Sequence, residues 1–164
     1  FDLLRFPTGT ARPFAFTHNV LTSMAVFRAV SPQFDERLVD TGGSDTHFYR
    51  RVREAGFSIV WADEAIAREW IPTERVRVRW LLQRALRIGG TDAFIERDLA
   101  GRRAAWGRLP VRAGRYAVRG LLRAAATPVR GRASLLAAGR DLAHAGGMLA
   151  GLVGYRYPEY RPAS

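Results

Sequence analysis

One carboxylate in the first half of the chain is placed where it could take a proton from a substrate. Asp45 follows Gly42, Gly43 and Ser44 in the stretch FDERLVDTGGSD (34–45), directly before a helical pattern. Adjacent glycines permit a tight turn and a close approach of a substrate to the backbone, and a carboxylate held at such a turn can act as a general base. The same residues also suit an ordinary helix start with Asp45 as the N-cap. The two glycines either shape a pocket or only make the turn, and both interpretations stay open.

A group of arginines after Pro72 could bind phosphate. Its members are Arg75, Arg77, Arg79, Arg84 and Arg87. A guanidinium grips a diphosphate through paired N–H donors. For any single member a solvated helix face is the simpler explanation, so the phosphate contact is a hypothesis for the group. The glycine pair is not a phosphate loop, because the G-x-x-x-x-G-K spacing is absent.

The composition excludes several classes of protein. The chain has 164 residues, 48% of them hydrophobic, which predicts one globular domain and excludes a disordered chain. There is no cysteine, so disulfides and zinc–thiolate sites are excluded. The three histidines lie far apart without ligand spacing. The first residues carry neither an initiator Met nor a signal-peptide pattern, so we expect a piece of something longer.

The first half mixes helical and strand patterns. Strands or extended runs are predicted at 15–22, 57–62 and 65–70. One helix is predicted from Ser44 or Asp45 to Gly56, with Phe48, Val52 and Ala55 at helical spacing. A second is predicted from Thr73 or Glu74 to Gly89-Gly90, where the glycine pair is typical of a helix end. These elements indicate an α/β fold for residues 1–90.

The second half is basic and helical. Residues 74–164 hold 18 arginines against 6 acidic residues, a net charge of +12, whereas residues 1–73 have a net charge of −1. Pro110 suits a helix first turn, Pro128 ends that helix, and a further helix is predicted at 133–153. Charges interrupt the 133–153 run, so we do not expect it to span a membrane.

One side of the first of these helices carries a stripe of arginines. Arg112, Arg115, Arg119 and Arg123 fall within an arc of about 80°, opposite small apolar residues. Helices that lie on the surface of an anionic bilayer typically have this arrangement of basic and apolar sides. Nucleic-acid binding is another hypothesis for these arginines. It is less favoured, because nucleic-acid-binding surfaces use aromatic side chains to stack on bases, and residues 100–140 contain only Trp106 and Tyr116. We therefore expect residues 108–153 to bind a membrane surface without crossing it.

Four stretches, taken in order, resemble a known enzyme family. They are FAFTHNVLTSMAVF (14–27), FDERLVDTGGSDTHFYRRVREAGFSIVWADEAIA (34–67), WIPTERVRVRWLLQRALRIGGT (70–91) and, more loosely, GLVGYRYPEYR (151–161). Together they are similar to the C-terminal half of family-2 inverting glycosyltransferases of the exopolysaccharide type, which have the nucleotide-diphospho-sugar transferase (GT-A) fold. The resemblance covers about half of the chain well.

The resemblance implies a fold, an activity and a set of site residues. Residues 1–90 would be the acceptor-side half of an α/β GT-A domain, and residues 91–164 an arginine-rich helical tail. The activity would be transfer of a sugar, with inversion, from a nucleotide sugar to a polysaccharide or polyprenyl-linked acceptor, at the cytoplasmic face of the membrane. Asp45 would be the base. The substrate-binding residues would be Asn19, Gly42, Gly43, Arg84 and Arg87.

Two departures from the family pattern limit what the chain could do alone. Ser44 stands where the family has an acidic residue, and the sequence contains no Asp-x-Asp. The resemblance therefore implies a divalent metal, Mg²⁺ or Mn²⁺, whose ligands are not in this chain. We expect those ligands in the nucleotide-binding half of the family's fold, which this sequence lacks. We expect the chain by itself to be inactive. The alternative is a non-catalytic remnant or subunit that binds an anionic membrane or a partner.

Overall fold

The computed structural model describes residues 5–157, and within them the chain is helical. Its α-helices are α1 Met24–Ala29, α2 Ser44–Glu54, α3 Val78–Leu99, α4 Arg102–Ala125, α5 Thr127–Arg130 and α6 Arg132–Leu152. Short 3₁₀ turns lie at Thr17–Asn19, Glu36–Leu38 and Thr73–Val76. No strand occurs among the described residues. The prediction of an α/β GT-A half followed by a helical tail is therefore wrong.

The described chain divides into two compact units. The first comprises residues 5–39 and 43–70, and the second comprises residues 40–42 and 71–157. The boundary predicted at residue 90 falls inside α3.

The first unit is built around α1 and α2. The Ser23 hydroxyl caps α1 by accepting a hydrogen bond from the Ala25 N–H at 3.3 Å. The helix predicted from the spacing of Phe48 and Val52 is confirmed as α2, and Gly56 follows it with φ of 88°. The buried core of this unit is Val26, Val30, Phe48, Tyr49 and Val52.

The three segments predicted as strands lack the partners that a sheet requires. Within residues 5–157, segment 57–62 pairs only with residues 9–12, through three backbone hydrogen bonds of 2.8–2.9 Å, which form one isolated antiparallel bridge. Pro7 and Pro13 bound that partner, and proline has no N–H with which to extend a ladder. Segment 15–22 turns into a 3₁₀ helix, and segment 65–70 is exposed throughout, so it has no face to bury.

The second unit packs α3 against α6 through glycines. The helix predicted to end at Gly89-Gly90 continues to Leu99. A Cβ on Gly89 would collide with the His144 carbonyl, and one on Gly151 would lie 2.7 Å from the Ala93 Cβ. The glycines of α3 therefore permit a close helix crossing instead of ending the helix, and α6 supplies the matching glycines.

The remaining predictions for the second half are mostly confirmed. Pro128 lies in the first turn of the short α5, after α4 has ended, and the helix predicted at 133–153 is α6. Pro110 lies inside α4, not in its first turn, on an exposed position where its ring meets solvent. Among the described helices, none combines the length and the apolarity needed to cross a bilayer.

Candidate functional site

The glycine turn before α2 places Asp45 in the first turn of the helix. Gly42 and Gly43 have φ of 70° and 92°, a left-handed backbone that residues with a Cβ rarely adopt. Gly43 is the N-cap and contributes no side chain, so Asp45 is not the cap. A carboxylate in the first turn is favoured there by the helix dipole.

Asp45 keeps one carboxylate oxygen available. Its Oδ1 accepts a hydrogen bond from the Thr46 N–H at 2.7 Å, and the residue is half-buried. Its Oδ2 makes no hydrogen bond with another residue in the described part of the chain. The geometry therefore leaves one oxygen that could accept a proton, and the role as base stays a prediction.

Arg87 supports the backbone just before the glycine turn. It is 7% exposed, and its Nη1 donates to the Thr41 carbonyl at 2.6 Å. The Thr91 hydroxyl, one helical turn further along α3, donates to the Gly42 carbonyl at 3.4 Å. Arg87 and Thr91 of α3 thus hold the backbone of Thr41 and Gly42 through structural contacts. Substrate binding by Arg87 stays a prediction.

Arg84 and Asn19 lie at the surface. Arg84 is exposed on α3, with its guanidinium 5.2 Å from the centre of the Trp80 ring. Asn19 is exposed at the end of a 3₁₀ turn, and its Nδ2 donates to the Ala65 carbonyl at 2.7 Å. Asn19 and Asp45 share the first unit but make no hydrogen bond with each other. Substrate binding by Arg84 and Asn19 also stays a prediction.

A buried carboxylate on α6 binds two arginines of α4. Asp141 is 5% exposed. The Arg119 Nε donates to its Oδ2 at 2.8 Å, the Arg119 Nη2 donates to its Oδ1, and the Arg123 Nη1 donates to its Oδ2 at 2.8 Å. The bond to this carboxylate raises the pKa of the Arg119 guanidinium above its ordinary value. Two guanidinium groups thus compensate the buried charge.

A second set of ion pairs joins α4 to α3. Asp92 and Glu96, one turn apart on α3, both lie within 3.6 Å of the Arg112 guanidinium. Arg108 donates to Glu96 at 3.0 Å, and the His144 Nε2 lies 3.2 Å from the Asp92 Oδ2. These pairs fix α3, α4 and α6 relative to one another.

Three of the four arginines in the stripe predicted to lie on a membrane pair with carboxylates inside the unit, and the membrane contact stays a prediction. Arg112 pairs with Glu96, and Arg119 and Arg123 pair with Asp141, because these two carboxylates are buried and require a positive partner. A sequence signal for this existed. Asp141 is the lone acidic residue of residues 102–152, in a stretch rich in alanine, leucine and glycine, and a carboxylate buried in such a stretch needs a cation.

The divalent metal that the resemblance implies stays a prediction, because the sequence has no Asp-x-Asp. Three carboxylates of the second unit do not suit this metal. Both oxygens of Glu96 and of Asp141 and the Oδ2 of Asp92 are already paired with arginine.

One comparison with known proteins bears on function. The chain is similar to the succinoglycan biosynthesis protein ExoM of Rhizobium meliloti (strain 1021), with 32% identity over 92 residues. Those residues are 56% of this chain and span only 30% of the length of ExoM. No model of a protein family matches the chain, and no solved structure matches it. The similarity is thus distant and partial, and it confirms neither a family-2 domain nor a GT-A fold.

Proposed function

We propose that this chain takes part in polysaccharide biosynthesis as the acceptor-side part of an inverting glycosyltransferase. The similarity to a succinoglycan biosynthesis protein is the observation that carries the proposal. The donor is a nucleotide sugar, and the acceptor is a hydroxyl of a lipid-linked or growing saccharide. The donor-binding segment is not assigned to any residue of this chain.

Asp45 supplies the base for this reaction. In an inverting transfer the acceptor oxygen attacks the anomeric carbon while the bond to the diphosphate breaks, and the acceptor proton passes to one carboxylate oxygen. The Oδ2 of Asp45, which makes no hydrogen bond with another described residue, is the oxygen that would receive it. The nucleoside diphosphate leaves when its bond to the anomeric carbon breaks.

The Asp45→Asn substitution, introduced into the gene in the source organism, tests whether Asp45 is the base. The readouts are the yield of secreted polysaccharide and the rate at which membranes transfer labelled sugar from nucleotide sugars to lipid-linked saccharide. We expect the Asp45→Asn rate to fall by ~10²–10⁴-fold, the weight of a positioned base. Asn keeps the size of the side chain and an oxygen for the Thr46 N–H, so the local helix should be unchanged.

The matched control is Asp40→Asn, which changes an exposed carboxylate five positions earlier. It should leave both readouts unchanged. A normal transfer rate in Asp45→Asn would remove Asp45 from the reaction and would favour the alternative of a non-catalytic subunit. Normal polysaccharide yield after deletion of the gene would refute the role in polysaccharide biosynthesis.

A further inference from the structure

The outward surface of α4 and α6 is apolar. Seven leucines and valines of these helices, between 41% and 66% exposed, form what we term the apolar face: Val111, Val118, Leu121, Leu122, Leu135, Leu142 and Leu149. On α6 its members recur every seven residues, so they lie along one side of the helix. On α4, Val111, Val118 and Leu122 share one side by the same spacing.

The two helices contribute to one continuous surface. A Cβ on Gly120 would lie 3.0 Å from the Leu142 Cγ, so Leu142 covers this glycine of α4. Leu121 is the next residue along α4 and is 61% exposed. The apolar residues of α6 therefore adjoin those of α4 at Gly120.

The packing of α4 within the unit explains why one apolar side of this helix faces outward. Its buried residues include Leu109, Ala113 and Gly120. Val111, Val118 and Leu122 lie roughly opposite these three on the helix, so they face away from the other helices of the unit. Contiguous apolar surface of this kind is uncommon on soluble monomers and marks an interaction site.

The surroundings of the apolar face are strongly basic. Residues 102–152 contain ten arginines and one acidic residue, Asp141, which is buried. Six of the arginines are exposed and make no ion pair with another described residue: Arg102, Arg103, Arg115, Arg130, Arg132 and Arg140. Arg115 lies next to Val111 and Val118 on α4, and Arg130 follows Val129, which is 91% exposed.

We infer that the apolar face binds the surface of an anionic membrane. The interface of such a bilayer offers acyl chains to the leucines and valines and negative headgroups to the arginines. A second copy of this chain would match the apolar face but would bring the same positive charge, which repels. A nucleic acid would match the charge but would leave the leucines in water. The inference is independent of the proposed transfer reaction.

Vesicle co-sedimentation of the full chain tests the inference. The probes are vesicles of phosphatidylcholine alone and vesicles that also contain phosphatidylglycerol, at about 0.1 M and about 1 M salt. We expect at least ~10-fold stronger binding to the anionic vesicles at low salt, and a residual binding at high salt from the apolar contacts. Failure to bind either kind of vesicle would overturn the inference.

Substitutions separate the apolar and the basic contributions. Val118→Ser with Leu122→Ser should weaken binding to anionic vesicles by ~10-fold or more at both salt concentrations. Arg115→Gln should weaken it by ~5-fold at low salt and hardly at all at high salt. Matched controls outside the face are Ile66→Ser, at a residue that is 74% exposed, and Arg68→Gln. Far-UV circular dichroism verifies that each variant keeps its helices.

Two results would assign the face to another occupant and overturn the inference. The first is vesicle binding that Val118→Ser with Leu122→Ser leaves unchanged. The second is a dimer in sedimentation equilibrium that the same double variant dissociates, since that would identify the occupant as a second copy.

Discussion

Around α1 and α2 the buried side chains are mostly aromatic and aliphatic, whereas in the second unit they include two carboxylates and an arginine. Phe48 is completely buried in the first unit, and the centroid of its ring lies 5.6 Å from that of Phe27 and 5.1 Å from that of Phe34. In the second unit, Glu96 and Asp141 are 4% and 5% exposed. The first unit thus follows the usual apolar-inside pattern, and the second departs from it.

The difference follows from the size of the side chains available. The helices of the second unit are rich in alanine and glycine, so their interior has few large apolar groups with which to fill space. Their backbones approach closely at Gly147 and Gly151, and arginine–carboxylate bonds fix their relative positions. A net charge counted along the sequence therefore says little about which side of a helix is charged at the surface.

The largest effect is expected where the second unit depends on glycine. A Cβ on Gly147 would collide with the Leu86 carbonyl and lie 3.1 Å from the Gly90 N, and both are backbone atoms that cannot rotate away. Gly147→Ala should therefore lower the free energy of unfolding by ~3 kcal/mol, because α3 and α6 must separate. Urea denaturation followed by circular dichroism measures this.

The neighbouring glycine is the matched control for that prediction. A Cβ on Gly146 would make an ordinary contact of 3.8 Å with the Leu86 Cδ1. Gly146→Ala should raise stability by up to ~1 kcal/mol, because alanine is a better helix former than glycine. Equal effects of the two alanines would show that the close crossing of α3 and α6 is not needed for stability.

An intermediate effect is expected for the buried carboxylate of α6. Asp141→Asn leaves Arg119 and Arg123 without their negative partner, and we expect a loss of ~2 kcal/mol. The figure is below that for a fully buried pair because the two arginine side chains are 49% and 39% exposed and can turn toward water. Thermal unfolding at neutral pH measures the change.

An aspartate-to-asparagine substitution in the first unit should lower the free energy of unfolding less than Asp141→Asn does in the second. Asp63 pairs with Arg5 in a salt bridge whose side chains are 32% and 62% exposed. Asp63→Asn should lower stability by less than Asp141→Asn does, because water screens the charges of an exposed pair. If Asp63→Asn were the more destabilising of the two, buried charge would not contribute more to the second unit than an exposed pair does to the first.

Sequence reasoning located helices well where a local pattern decided them. The spacing of Phe48 and Val52, followed by Gly56, fixed α2, and the break at Pro128 separated α4 from α6. It failed where a distant partner decided. Gly89-Gly90 has the local pattern of a helix end, but α6 supplies the surface against which these glycines pack, and the helix continues.

The strand at 57–62 failed for a related reason. Its side chains alternate between half-buried and exposed, as a strand pattern requires. A strand also needs a long partner, and in the part of the chain that the structure describes only residues 9–12 pair with it. For the candidate site, the sequence placed Asp45 at a glycine turn before a helix. It did not reveal that Arg87 is buried against the Thr41 carbonyl, because that contact joins residues 46 positions apart.

The smallest effect concerns the acid stability of the first unit. Asp35 caps a 3₁₀ turn, and its bonds with Arg37 hold the pKa of this carboxyl below its usual value, with His47 at 4.0 Å acting in the same direction. Because the pKa is lower in the folded state, the pair stabilises the fold above about pH 4 and loses this contribution as the pH falls through the folded pKa. The contribution should stay within ~1 kcal/mol, since the Arg37 side chain is 56% exposed.

The substitution Arg37→Gln tests this contribution. The variant should lose less stability on acidification than the natural chain does, and the difference in stability between the two should shrink toward acid pH. Thermal unfolding between about pH 7 and about pH 3 measures both curves. Parallel curves would mean that Arg37 stabilises the turn through packing alone, and that charge contributes to stability in the second unit but not at this site in the first.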